Sequence, residues 1–285
     1  MGQKSSKELS SNTPSKSNVG FIESKINSYV FLPPRRNNEK LPPFIKFITL
    51  PNSNKLSYFI LNPNSNSSKN KTIRNKNDRY ILWSHGNASD LVSMFNDMLN
   101  FYNDMNGEVG IIAYDYEGYG YSDGTCSEKN CCKDLEYIIK YALRGLRIKK
   151  ENLFLIGQSL GSGVVVDFCS KFSWSTPITL ISPYKSIARV KIDPQPINFI
   201  FNCAIDSIDM FTSHYKLHKL RCPIIIYHGL MDNIIHPSHS IDMYNSHKDK
   251  IKLVLLKHSG HNDIFDHVNI LQILDMMDNN DNNSI

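Results

Sequence analysis

Long apolar runs are missing from this 285-residue chain, and none reaches the ~18 residues that a membrane-spanning helix needs. The N-terminus also lacks a secretory apolar segment, so no signal peptide is expected. Cysteine is scarce and scattered. The six, at positions 126, 131, 132, 169, 203 and 222, never take the C-x-x-C spacing of a metal site. Without a secretory leader they read as reduced thiols rather than a disulfide framework. No metal or organic cofactor is implied. What remains, at 41% hydrophobic and 21% charged, is a chain able to bury one sizeable core.

The net charge of +5 is unevenly placed. Residues 1–40 hold seven Lys or Arg against three Glu, and residues 62–79 hold five against one Asp, which leaves the rest of the chain net negative. Basicity confined to polar segments, with no basic groove in a folded part, argues against nucleic acid as a partner and for an anionic membrane surface. The opening Met1-Gly2-Gln3-Lys4-Ser5-Ser6 fits M-G-x-x-x-[ST], the N-myristoylation pattern, with Gly2 as the acceptor. One myristoyl chain holds a membrane only marginally. No cysteine precedes Cys126, so Lys4, Lys7 and Lys16 are left to supply the second, electrostatic signal. The expectation is reversible, peripheral attachment to the cytosolic face of a membrane.

Composition divides the chain into a flexible N-terminal tail at 1–42, a folded domain at 43–277 and a disordered tail at 278–285. The Asn/Ser/Lys-rich stretch 62–78 is read as a disordered insertion in a β-hairpin loop. Short β-type runs at Phe44–Leu50 and Leu56–Leu61 precede it. Beyond it strands are predicted at Tyr80–Trp83, Gly110–Asp115, Asn152–Ile156, Ile178–Ser182, Pro223–Tyr227 and Lys252–Leu256. Helices are predicted at Asp90–Asn106, Ser127–Leu143, Leu160–Ser170, Ser238–Ser246 and Ile264–Met277, the second with a capping box of Thr125 and Glu128. Regular strand–helix alternation implies right-handed crossovers and a mostly parallel sheet covered on both faces. Ligands of such α/β folds bind at the carboxyl ends of the strands.

The organising stretch is Gly157-Gln158-Ser159-Leu160-Gly161, a G-x-S-x-G pentapeptide between an apolar strand run and a helical segment. That setting suits a strained strand-to-helix turn with an exposed serine hydroxyl and glycines where strand and helix approach. A serine needs a base to take its proton, and the base needs a carboxylate to hold its tautomer. On this fold the chain order is serine, acid, histidine. His261, two residues before Asp263 and just past the last strand, is the candidate base, in preference to His258 and His267. Asp232, past the preceding strand, is the candidate acid, in preference to Asp193, Asp206, Asp209 and Asp263. Two N–H donors are needed for the oxyanion. These are assigned to Leu160, next to the nucleophile, and to Asn87, in the loop Ser84-His85-Gly86-Asn87-Ala88, where His85 is read as a buttress. Between Ser182 and Pro223 only a short cap fits, and its apolar Ile187, Ile197, Phe199, Ile200, Phe201 and Phe211 are divided between lining an acyl groove and ordinary packing.

The motifs Ser84–Leu91, Tyr114–Ser122, Ser127–Asn130, Gly157–Gly161, Ser182-Pro183 and Gly260–Ile264 together make the chain, from about Arg79 to Leu274, resemble the α/β-hydrolases. Within them it is similar to the alpha/beta hydrolase domain-containing protein 17 group of protein depalmitoylases. The resemblance implies hydrolysis of S-acyl thioesters on membrane-associated proteins, with Ser159, Asp232 and His261 as the triad. It departs from that group in lacking a cysteine-rich N-terminus, for which Gly2 offers a different anchor. The expected activity is a two-step serine hydrolase acting as a monomer on S-acylated proteins; the alternative is a carboxylesterase, of monoacylglycerol or lysophospholipid type, with the same triad.

Overall fold

A computed structural model describes residues 26–36, 39–64, 78–192 and 209–282. Eight strands form one sheet: β1 (Lys46–Thr49), β2 (Lys55–Leu61), β3 (Arg79–Ser84), β4 (Val109–Tyr114), β5 (Leu153–Gln158), β6 (Ile178–Ile181), β7 (Ile224–Gly229) and β8 (Ile251–Leu256). Their spatial order is β1-β2-β4-β3-β5-β6-β7-β8. β3 to β8 run parallel, while β1 pairs antiparallel with β2, and β2 with β4. The parallel strands are apolar on both faces, as strands covered by crossover helices must be. Alternate residues serve opposite cores. Tyr80 and Leu82 of β3 with Leu153 and Leu155 of β5 face helices α2 (Glu128–Lys140) and α3 (Leu160–Phe172). Ile81 and Trp83 with Phe154 and Ile156 face α1 (Leu91–Asp104) and the C-terminal helix Ile270–Asn282. α4 (Ser238–Ser246) lies between β7 and β8 in the chain and adds Met243 to the first core. No helix among the described residues is long and apolar enough to cross a membrane.

The structure corrects several details of the expected layout. The segment 62–78 does not close a hairpin: β2 pairs with β4, so this connection must pass beyond β4 to reach β3. Its residues 65–77 lie outside the described part of the chain, as do Gly2 and the end of the C-terminal tail at 283–285. Helix Ile270–Asn282 extends into the stretch expected as that tail. Packing also begins before residue 43, since Phe31 is buried in the first core. The cap of α2 is Ser127, whose hydroxyl accepts from the Asn130 N–H at 3.1 Å. Thr125 cannot form the box because Glu128 is then the first helical residue, unable to reach back over a full turn. Glu128 instead accepts from the Phe211 N–H at 2.8 Å. The last helical stretch is broken into a short 3₁₀ turn, Ile264–His267, and the helix from Ile270.

Of the apolar cap residues, Phe211 is fully buried and Ile187 half-buried against the core, which is ordinary packing. Ile197, Phe199, Ile200 and Phe201 lie outside the described residues, together with Asp193, Asp206 and Cys203.

Candidate active site

Ser159 is the turn residue between β5 and α3, with φ 49° and ψ −117°, a left-handed φ that a side-chain-bearing residue rarely adopts. The turn is pinned by its own N–H, which donates to the Ile181 carbonyl at 2.8 Å, and by its carbonyl, which accepts from the Ser162 N–H at 2.9 Å. The flanking glycines are required by close approach: a Cβ on Gly161 would lie 2.0 Å from the Ser84 carbonyl oxygen, and one on Gly157 would lie 2.5 Å from that of Gly161. Strand, turn and helix thus press together behind the serine and leave its hydroxyl on the open side.

Asp232 and His261 come from neighbouring loops after β7 and β8. These loops are stitched to each other, with the Leu230 N–H donating to the Leu256 carbonyl at 2.9 Å and the Met231 N–H to the Ser259 carbonyl at 3.0 Å. The Gly260 N–H donates to the Asp263 carboxylate at 2.6 Å, so Asp263 braces the turn that leads into His261. The result joins residues 102 positions apart: His261 Nε2 is 3.2 Å from Ser159 Oγ, and His261 Nδ1 is 2.7 Å from Asp232 Oδ2. A carboxylate accepts only, so Nδ1 carries the proton and the bare Nε2 faces the hydroxyl. Asp232 is 4% exposed, while Ser159 and His261 are half-buried and open to solvent on one side.

Burial alone would push the Asp232 carboxyl up. Hydrogen bonding from His228, from His261 and from the Ile235 N–H outweighs it and holds the group well below the ordinary carboxylate range. Asp232 Oδ1 accepts from both the Ile234 N–H at 2.9 Å and the Ile235 N–H at 2.8 Å. His228 is a residue that motif reading passed over. It is wholly buried, with Nε2 donating to the Ile235 carbonyl at 2.8 Å and lying 3.4 Å from Asp232 Oδ2, while Nδ1 accepts from the Ser240 hydroxyl at 2.6 Å. Its only sequence signal is its place at the end of β7, four residues before the acid.

The loop after β3 reaches over the serine: a Cβ on Gly86 would lie 3.4 Å from Ser159 Cβ. Among the described residues neither the Asn87 N–H nor the Leu160 N–H is taken by a hydrogen bond. The Leu160 N–H also sits in the first turn of the 13-residue helix α3, whose dipole favours negative charge there. His85 is buried beneath this loop with Nδ1 donating to the Gly86 carbonyl at 2.7 Å, and Tyr116 donates to the His85 carbonyl at 2.8 Å. Burial pushes its ring down to about 4, which suits a neutral buttress rather than a base. Behind it, burial raises Asp115 to about 7 despite hydrogen bonds from the Ser57 hydroxyl and the Leu91 N–H. No cluster of three or more metal-ligating side chains occurs among the described residues. A cavity of about 410 Å³ lined by Pro177, Pro223, Lys250 and Lys252 opens at the opposite end of the sheet.

This geometry can pass a proton from a serine hydroxyl to an imidazole backed by a carboxylate, and the Leu160 N–H stands next to the same serine. Comparison with known proteins agrees with that chemistry. The family model described as serine hydrolase (FSH1) matches residues 63–262. An alpha/beta hydrolase of Acanthamoeba polyphaga mimivirus is 38% identical over 212 residues, covering 72% of this chain and 77% of that protein. Human alpha/beta hydrolase domain-containing protein 17C is 33% identical over 186 residues, 65% of this chain and 53% of that protein. The chain therefore spans about half the length of that relative. Among solved structures, an esterase of Pyrococcus furiosus superposes with a TM-score of 0.64 at 17% identity, covering 88% of this chain and 97% of that one. Mouse alpha/beta hydrolase domain-containing protein 10 superposes with a TM-score of 0.55 at 17% identity, covering 82% and 98%. Both share this fold.

Proposed function

Because the chain belongs to the serine hydrolase (FSH1) family of α/β-hydrolases, we propose that it depalmitoylates membrane-associated proteins with Ser159, His261 and Asp232 as its triad. The observation that carries the reading is the proton path: hydroxyl, bare Nε2 at 3.2 Å, and a buried carboxylate at 2.7 Å from the other ring nitrogen. Ser159 Oγ attacks the thioester carbonyl as its proton passes to Nε2, and the oxyanion is received by the Leu160 and Asn87 N–H groups. The tetrahedral intermediate collapses, the C–S bond breaks, and the leaving cysteine sulfur takes the proton from His261. Water then gives a proton to the same nitrogen and attacks the acyl-enzyme, releasing the fatty acid and restoring Ser159.

Two features support an acyl chain carried on a protein at a membrane. The motifs resemble those of the domain-containing protein 17 depalmitoylases. In addition, the acid loop presents Leu230, Met231 and Ile234 to solvent at 46%, 64% and 51% exposure, an apolar lip beside the triad. The Gly2 pattern offers a tether that would hold the enzyme at the surface where such substrates lie.

The deciding experiment compares matched S-palmitoyl and O-acyl substrates, with Ser159→Ala as the control. Turnover of the thioester that vanishes in Ser159→Ala supports the proposal. Turnover of the oxygen ester alone would replace it with a lipid carboxylesterase. A fluorophosphonate that labels wild type but not Ser159→Ala identifies the nucleophile independently of substrate.

A further inference from the structure

The loop that carries the Asn87 N–H is held from outside the domain's predicted boundary. Asn87 turns its side chain toward the segment before β1. Its Nδ2 donates to the Val30 carbonyl at 2.7 Å, and its Oδ1 accepts from the Leu32 N–H at 2.9 Å, so the carboxamide pairs with the chain as a backbone peptide would. Tyr119 donates to the same Oδ1 at 2.6 Å. The Ala88 N–H donates to that oxygen too, at 3.1 Å, so the side chain ties the loop to the segment before β1 while its backbone N–H takes no hydrogen bond among the described residues.

A second fixing point lies three residues on. Asp90 is a buried carboxylate that caps α1 by accepting from the Ser93 N–H at 2.9 Å. The Arg36 guanidinium grips it at both oxygens, with Nε on Oδ2 and Nη2 on Oδ1 at 3.2 Å. Burial pushes the Asp90 carboxyl up, and the bonds from Arg36 and Ser93 more than reverse that. Between the two points Ala88 has φ 58°, a strained value that persists only where the surroundings enforce it. The segment is itself anchored. Phe31 is buried against Phe211, Gly120 donates to the Pro34 carbonyl at 2.7 Å, and Arg35 donates to the Gly124 carbonyl at 3.0 Å.

We propose that residues 30–36 form a strap that positions the oxyanion loop, acting through the Asn87 side chain and the Arg36–Asp90 pair. The proposal rests on the reading of the Asn87 N–H as an oxyanion donor. Asn87 and Arg36 are positioning residues: neither side chain touches the reacting atoms.

Asn87→Ala keeps the backbone donor and removes the side-chain bonds to Val30 and Leu32 together with those from Tyr119 and Ala88, while Arg36→Ala loosens the segment without touching the loop's own bonds. Asn87→Ala, Arg36→Ala and Arg36→Lys are compared in the full chain on a short p-nitrophenyl ester, with a trifluoromethyl ketone as the tetrahedral analogue and thermal unfolding as the check on fold. The alanine variants are expected to lose about 10- to 100-fold in kcat, since a misaligned donor forfeits part of what a missing one does. KM should stay near wild type, and the inhibition constant of the ketone should rise in step with the loss of kcat. Arg36→Lys should recover part of it, keeping the charge without the fork. Folded variants with wild-type kcat and ketone affinity would overturn the strap, as would a loss of activity with ketone affinity unchanged. Wild type as inert as Ser159→Ala would instead remove the serine-hydrolase reading, and the strap's catalytic role with it.

Discussion

Replacing Asp232 with Asn separates the acid's charge and tautomer control from its shape. The two sides of the carboxylate are not equivalent. Oδ1 accepts from two backbone N–H groups, Ile234 at 2.9 Å and Ile235 at 2.8 Å, whereas Oδ2 faces His261 Nδ1 at 2.7 Å. An asparagine therefore keeps its oxygen on the backbone side, because its NH₂ there would confront two donors. The NH₂ must then point at Nδ1 and force it to accept. The imidazole proton moves to Nε2, the nitrogen 3.2 Å from Ser159 Oγ, and the serine loses its base. A tautomer error of this kind costs about 10⁴-fold in kcat in the serine-protease triad. That corresponds to about 5 kcal/mol of transition-state stabilisation. The fold should survive, since the backbone bonds to the loop are kept. The assay is steady-state ester hydrolysis and the rate of fluorophosphonate labelling, with thermal unfolding alongside. Asp232→Asn with more than a tenth of wild-type kcat/KM would refute the assignment of both the acid and the tautomer.

Gly161→Ala should be among the most damaging small substitutions, since its methyl would meet the Ser84 carbonyl at 2.0 Å and force two backbones apart. A loss of about 3 kcal/mol or more is expected by urea denaturation. Asp115 has an ordinary value of 3.8 and is raised by burial to about 7, so the folded state binds the extra proton between those limits and stability falls as pH rises through them. Asp115→Asn removes that slope. Its stability relative to wild type should improve by about 4 kcal/mol between pH 4 and pH 8, and a difference that does not vary with pH would count against the buried carboxyl. Finally, Gly2→Ala should move the protein out of the membrane fraction of fractionated cells if the myristoyl pattern is used; an unchanged distribution would remove that tether.

Much of the architecture was legible because its cause is local. Strands such as Gly110–Asp115 and Asn152–Ile156 are short apolar runs with no polar face, and between them lie periods that suit helices. Ser159 stands out because its turn imposes glycines two residues on either side, and chain order, with places just past consecutive strands, marks His261 and Asp232 as its candidate partners. The cap of α2 is ambiguous for an equally local reason: Thr125 and Ser127 are both good caps, and only the fold, with Ser127 bonded to Asn130 and Glu128 turned toward Phe211, decides between them. The hairpin expected around 62–78 failed because strand pairing is non-local. Nothing in Leu56–Leu61 says that its partner is β4, some fifty residues on, rather than β3.

Residue types and spacing, then, determined which hydroxyl, which imidazole and which carboxylate were candidates for the proposed chemistry, and in what order they come along the chain. Tertiary structure alone decided the distances among them, and the surroundings of His228, Asp115 and the segment 30–36. Those surroundings arise from burial and from contacts between positions far apart in sequence, such as Arg36 with Asp90 and Asn87 with Val30. A histidine or an asparagine carries no local mark of being buried or clasped, because the energy that fixes it comes from partners the chain brings together only on folding.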